Sequence, residues 1–134
     1  MNYKDIFDKY KNIAVVGMSN KPGKAAHNVP MFMHEHNYNV IPVNPLYANI
    51  KGLHCYKSLT EIPYNIDIIN VFRPSADAEI VVQDAIQRFQ QKGDIKVIWL
   101  QEGIFSMNGK KLAEENGVIY IENVCMYKAY VANL

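Results

Sequence analysis

Apolar runs of four to six residues, each closed by glycine, proline or asparagine, alternate along the chain with stretches whose apolar residues recur at helical spacing. Ile13 to Val16 is the sharpest run, and with its flanks it predicts strand one at 12–17. Val40-Ile-Pro-Val43 predicts strand two, stopped by Asn44-Pro45. Asp67 to Phe72 predicts strand three, Ile95 to Leu100 strand four and Val118 to Ile121 strand five. Between them, Ala26, Val29, Phe32 and Met33 share a helical face. That helix is expected to begin no earlier than about residue 26, because Pro30 fits best near a helix start. Ala78, Val82, Ala85 and Phe89 define a longer helix, opened by Pro74 and closed by Gly93. A shorter one spans 106–116. Ile6, Phe7 and Tyr10 mark one face of a brief opening helix. Residues 46–65 carry no period beyond a possible helical turn at 59–62.

Strands alternating with helices at this rhythm predict a Rossmann-like three-layer α/β/α domain over 1–134, with a five-stranded parallel sheet. Right-handed crossovers suggest the strand order 3-2-1-4-5. Ligands in such sheets sit beyond the carboxyl ends of the strands, where the order reverses. On that order the reversal falls between strands one and four.

Composition narrows the function without deciding it. With 134 residues, 49% hydrophobic and 20% charged, the chain can bury a core unaided. A net charge of +1 argues against a broad nucleic-acid face. Two distant cysteines, Cys55 and Cys125, suit a reducing cytoplasm and give neither a disulfide scaffold nor a zinc site. His27, His34, His36 and His54 show no metal spacing. The start is not patterned as a signal peptide, and no stretch approaches a membrane span.

The chemistry concentrates on the expected carboxyl edge. After strand one, Gly17-Met-Ser-Asn-Lys-Pro-Gly-Lys24 is a strand-to-helix turn of the kind that holds phosphates. Ser19 and Pro22 stand where a dinucleotide fingerprint requires glycines, so the usual NAD geometry is not expected. Lys21 and Lys24 are either ligand cations or solvated loop lysines. Asn44 occupies the place where an acid would hold ribose hydroxyls. It suits either a ribose carrying phosphate or a plain Asn-Pro turn. Arg73 can grip phosphate with two donors or pair with Asp77. Gln101-Glu-Gly-Ile104 faces the same edge, with Gly103 allowing close approach. No catalytic triad can be assembled from these spacings.

These segments together resemble the stand-alone CoA-binding proteins, single domains related to the N-terminal domain of the succinyl-CoA synthetase α subunit. The likeness rests on IAVVGMSNKPGKAAHNV, YNVIPVNP, GLHCYKSLTEIP, IDIINVFRPS, VIWLQEGI and the closing CM, six strings in the right order. It implies a CoA or acyl-CoA ligand with its pyrophosphate at the loop after strand one. The positions it marks are Gly17, Ser19, Lys21, Pro22, Val43, Asn44, Pro45, Arg73, Gln101, Gly103 and Ile104. Leu46 departs from the family, which often has a lysine there, and the Glu122–Ala129 segment departs around Cys125. The resemblance implies a cytoplasmic binding protein without catalytic or metal-ligating residues, because the synthetase's chemistry needs a further domain with a phosphorylatable histidine. The rival readings are a small NAD(P)-binding or acyl-transferring enzyme, and an interaction module with a vestigial groove.

Overall fold

The computed structural model describes residues 2–134. Five parallel strands form the sheet: β1 (Asn12–Val16), β2 (Asn39–Val43), β5 (Ile68–Val71), β6 (Val97–Leu100) and β7 (Ile119–Ile121). A two-residue turn at Lys51-Gly52 joins a small hairpin of β3 (Asn49–Ile50) and β4 (Leu53–His54). The helices are α1 (Tyr3–Lys9), α2 (Ala25–Glu35), α3 (Ser75–Lys92), α4 (Met107–Glu115) and α5 (Met126–Ala132), with a 3₁₀ turn at Leu59–Glu61.

Alternation along the strands sorts side chains to two faces. Ile13, Val15, Val40, Ile68, Val97 and Trp99 meet α1, α2 and α5 through Phe7, Met33 and Met126. Ala14, Ile41, Val43, Ile69, Ile98 and Leu100 meet α3 and α4. Helices therefore cover both faces, as the three-layer expectation required.

The strand order is a correction. The spatial order is β2-β1-β5-β6-β7, so the third long strand lies beside β1 and not outside β2. Numbering only the five sheet strands, the order is 2-1-3-4-5 in place of 3-2-1-4-5. Pro42 supplies the physical reason. Its carbonyl accepts from Tyr56 N–H at 2.9 Å on the side away from β1, so its proline nitrogen faces that side too and offers no donor there. A proline so placed suits an edge strand and would break a ladder inside the sheet. The chain instead returns from β2, across the α3 face of the sheet, to pair on the far side of β1.

Other boundaries moved for local reasons. Strand four begins at Val97, because Ile95 is left-handed (φ +53°). Helix α2 begins at Ala25, so Pro30 sits inside it as its sixth residue. Segment 46–65, expected to be irregular, contains the β3–β4 hairpin. Helix α5 was not expected at all; its Met126 and Ala129 close the core beside Trp99. Helix α3 ends as expected, with Gly93 left-handed at φ +73° and its N–H bonded to Phe89 C=O.

The return crossover is held by one buried side chain. Arg88 of α3 is 3% exposed. Its Nε and Nη2 reach Asp94 Oδ2 at 3.0 Å each. Its Nη1 donates to the carbonyls of Leu59 (2.6 Å) and Ile62 (3.0 Å), and Nη2 to that of Tyr64 (2.9 Å). Four of the five guanidinium hydrogens thus have acceptors, three of them backbone carbonyls outside any regular ladder, and Nη2 adds a close ion pair with Asp94. Asp94 Oδ2 also accepts Ile66 N–H at 3.1 Å, which fixes the entry to β5. Truncation would leave a buried carboxylate and three carbonyls without their cation. Arg88→Ala is expected to lose about 3–5 kcal/mol in urea unfolding. A loss below about 1 kcal/mol would show that the crossover holds itself.

Candidate functional site

The strand order turns at β1: the chain leaves it on one side to β2 and on the other to β5. Over the carboxyl ends of these three strands lies a cleft of about 380 Å³. Val16 and Gly17 come from β1, Val43 to Leu46 from β2, Arg73 from β5, Lys57 from the crossover and Val81 from α3. The site therefore lies between β1 and β5, one strand from the position first expected.

Gly17 makes the floor possible. Its φ is +89°, and a Cβ there would stand 2.7 Å from Phe72 C=O. Any side chain would both strain the backbone and collide with the end of β5. Its N–H donates to Val43 C=O at 2.9 Å, tying the ends of β1 and β2 together.

The loop that follows owes its shape to Pro30. Having no N–H, Pro30 leaves the Ala26 carbonyl without its usual helical donor. Ser19 N–H fills that vacancy at 3.0 Å and pins the loop to α2. His27, buried beneath, holds Ser19 C=O at 2.8 Å; a carbonyl only accepts, so the proton lies on Nδ1. Ser19 Oγ accepts Lys21 N–H at 3.1 Å, and Gly23 N–H bonds to Asn28 Oδ1 at 3.1 Å. Ser19 consequently keeps its hydroxyl hydrogen free to donate to a ligand. Among the described residues, the N–H groups of Asn20, Ala25 and Ala26 find no acceptor in the protein, and they open the α2 N-terminus.

Asn44 is committed to structure. Its Nδ2 donates to Met18 C=O at 3.0 Å, while Oδ1 accepts Leu46 N–H at 2.9 Å. Arg73 pairs with Asp77 at 2.9 Å, both about half exposed. Gln101 is buried and caps α5, with Oε1 accepting Met126 N–H at 3.2 Å. Gly103 N–H bonds to Asn123 Oδ1, and Ile104 N–H closes a turn onto Gln101 C=O. Cys125 is buried at the head of α5 and is not part of the cleft. Burial pushes the Cys55 thiol up from its ordinary value.

The structure thus gathers Gly17, Val43, Asn44, Pro45 and Arg73 in the cleft. Ser19, Lys21, Pro22 and Lys24 lie on the adjoining loop, with Pro22 bordering a separate hollow beside Met31 and Phe32. Gln101, Gly103 and Ile104 stand at the next strand end, outside the cleft. Sequence reasoning missed Val16, Leu46, Lys57 and Val81 as lining residues. Lys57 lies in a segment without periodicity, where only the crossover geometry could place it.

Residues 11–130 match the family model described as a CoA binding domain. The chain belongs to that family. An uncharacterized Bacillus subtilis protein, YneT, is 34% identical over 127 residues, 95% of this chain and 90% of that one. A hypothetical protein from Pyrococcus horikoshii OT3 superposes with a TM-score of 0.88 at 35% identity, covering 98% of this chain and 92% of that one. The ADP-forming acetate–CoA ligase of Methanocaldococcus jannaschii is 30% identical over 83 residues, 62% of this chain. The chain spans only 11% of that ligase. Across the CoA-binding domain described here, no helix is long and apolar enough to cross a membrane.

The loop geometry carries its own test. Pro30→Ala restores a helical donor to the Ala26 carbonyl and sets it in competition with Ser19. Ser19 N–H should then exchange with solvent at least about tenfold faster in hydrogen-exchange measurements, while the core amides of β1 stay protected. An unchanged rate would mean that Pro30 does not shape the loop.

Proposed function

We propose that the chain binds CoA or an acyl-CoA along the carboxyl edge of its sheet and acts as a binding protein. The observation that carries this reading is the cleft over the carboxyl ends of β1, β2 and β5, at the point where the strand order reverses. The lining fits half of such a ligand. Val16, Val43, Pro45, Leu46 and Val81 offer apolar walls for a base, and Arg73 and Lys57 offer positive charge for phosphate. At about 380 Å³ the cleft lies at the small end of ligand sites, a size suited to the nucleoside part alone.

The rest of the ligand is assigned along the edge. The pyrophosphate belongs at the loop after β1, where the N–H groups of Asn20, Ala25 and Ala26, the Ser19 hydroxyl and the Lys21 and Lys24 ammonium groups supply donors beside Pro22. The arm leading to the thiol or thioester runs past Gln101, Gly103 and Ile104. An NAD-type mode is disfavoured, because the cleft lining contains no carboxylate to take ribose hydroxyls. The cytoplasm is the compartment that suits both the ligand and two free thiols.

Ligand that binds only the folded state, at about 100 times its dissociation constant, adds roughly 2.7 kcal/mol. That corresponds to a rise of several degrees in melting temperature. In thermal-shift measurements with CoA, NAD and ATP side by side, CoA is expected to give the largest shift. A larger shift with NAD would overturn the assignment.

A further inference from the structure

We propose that Lys57 is the specificity-determining cation of the cleft: it receives a phosphate carried on the ligand's ribose and so selects CoA over its 3′-dephospho form. The assignment rests on the CoA reading above and adds to it a residue from outside the strand-end segments.

Backbone placement comes first. Tyr56 runs parallel to β2 along its outer edge, bridging to Val43. Its N–H donates to Pro42 C=O at 2.9 Å, and its C=O accepts Asn44 N–H at 2.8 Å. Because the two segments run in the same direction, the next residue is carried past the carboxyl end of the sheet. That residue is Lys57, which lines the cleft beside Asn44, Pro45 and Leu46.

This end of strand two is where open α/β sheets read the ribose. A carboxylate there accepts the hydroxyls of an unmodified ribose, whereas a cation accommodates a phosphorylated one. The lining residues include no acid, and both functions of the Asn44 amide are already engaged. Two cations remain. Arg73 is held by Asp77 at 2.9 Å, so part of its field is already compensated. Among the described residues Lys57 makes no ion pair and its ammonium no hydrogen bond. A compact ammonium on a flexible, exposed stem can follow a phosphate as a point charge. The cleft's uncompensated charge therefore lies on the ribose side and on one residue.

Calorimetric titration with CoA and with 3′-dephospho-CoA tests the assignment. The wild-type protein should bind CoA about tenfold or more tightly than the dephospho form, as expected for one charged hydrogen bond. Lys57→Ala should remove that preference by weakening CoA alone, leaving dephospho-CoA within about twofold, and Lys57→Arg should keep it. Lys57 is exposed, so an unchanged melting temperature of the unliganded variants confirms their fold. Equal weakening of both nucleotides, or unchanged CoA affinity in Lys57→Ala, overturns the role of Lys57 and leaves the CoA reading standing. Failure of the wild-type protein to bind either nucleotide overturns both.

Discussion

The buried Arg88 guanidinium is the constraint on which the architecture of the site depends. A parallel sheet needs long connections, and the one from β2 to β5 contains no α-helix to pack it down. Arg88 substitutes for that helix by holding three successive stretches of backbone, at Leu59, Ile62 and Tyr64, against α3. Asp94 neutralises it and fixes Ile66 at the entry to β5. With this anchor the crossover can lie across the α3 face, bring Tyr56 against the edge of β2 and carry Lys57 over the cleft. Arg88 is 3% exposed and Asp94 6%, and the value of the pair is positional, since a buried ion pair adds little net stability over a well-packed apolar substitute.

A second, smaller exchange of partners shapes the loop after β1. Pro30 removes one helical hydrogen bond from α2, and the freed Ala26 carbonyl is taken by Ser19. Asn44 makes the matching connection from β2, reaching Met18 C=O with its amide. Together with the Gly17 N–H bond to Val43, these contacts bind the ends of β1, β2 and α2 into one rigid rim. Residues that looked like ligand contacts in the sequence thus split their roles. Ser19 and Asn44 build the rim, while the N–H groups of Asn20, Ala25 and Ala26 are left without an acceptor in the protein.

The strands and the long helix α3 were legible because their signals are local: apolar runs ended by Gly17, Asn44-Pro45 and Arg73-Pro74, and apolar residues at helical spacing from Ala78 to Phe89. Strand order was not, because parallel pairing joins residues far apart in the chain and leaves little local trace. Pro42 was the one trace available, since a proline is poorly tolerated inside a sheet. The start of α2 fell within a residue of the expected 26, and Pro30 is tolerated inside the helix because a tertiary donor, Ser19, compensates for what it removes. Helix α5 is seven residues long, too short for its period to stand out. Gly17, Val43, Asn44, Pro45 and Arg73 could be placed together on the carboxyl edge because they sit at strand ends. Lys57 could not, because its place depends on Arg88 and on the Tyr56 bridge, both products of the folded chain.

The central claim is that ligand binds over the carboxyl ends of β1, β2 and β5. Titrating ¹⁵N-labelled protein with CoA and following its backbone amide resonances tests that claim most directly. The account expects shifts concentrated at Gly17 to Lys24, Asn44, Leu46, Lys57 and Arg73, extending to Gln101, Gly103 and Ile104. Shifts concentrated instead around Lys11, Tyr38 and Tyr130, which line a separate cavity of about 230 Å³ near the amino ends of the strands, would contradict it.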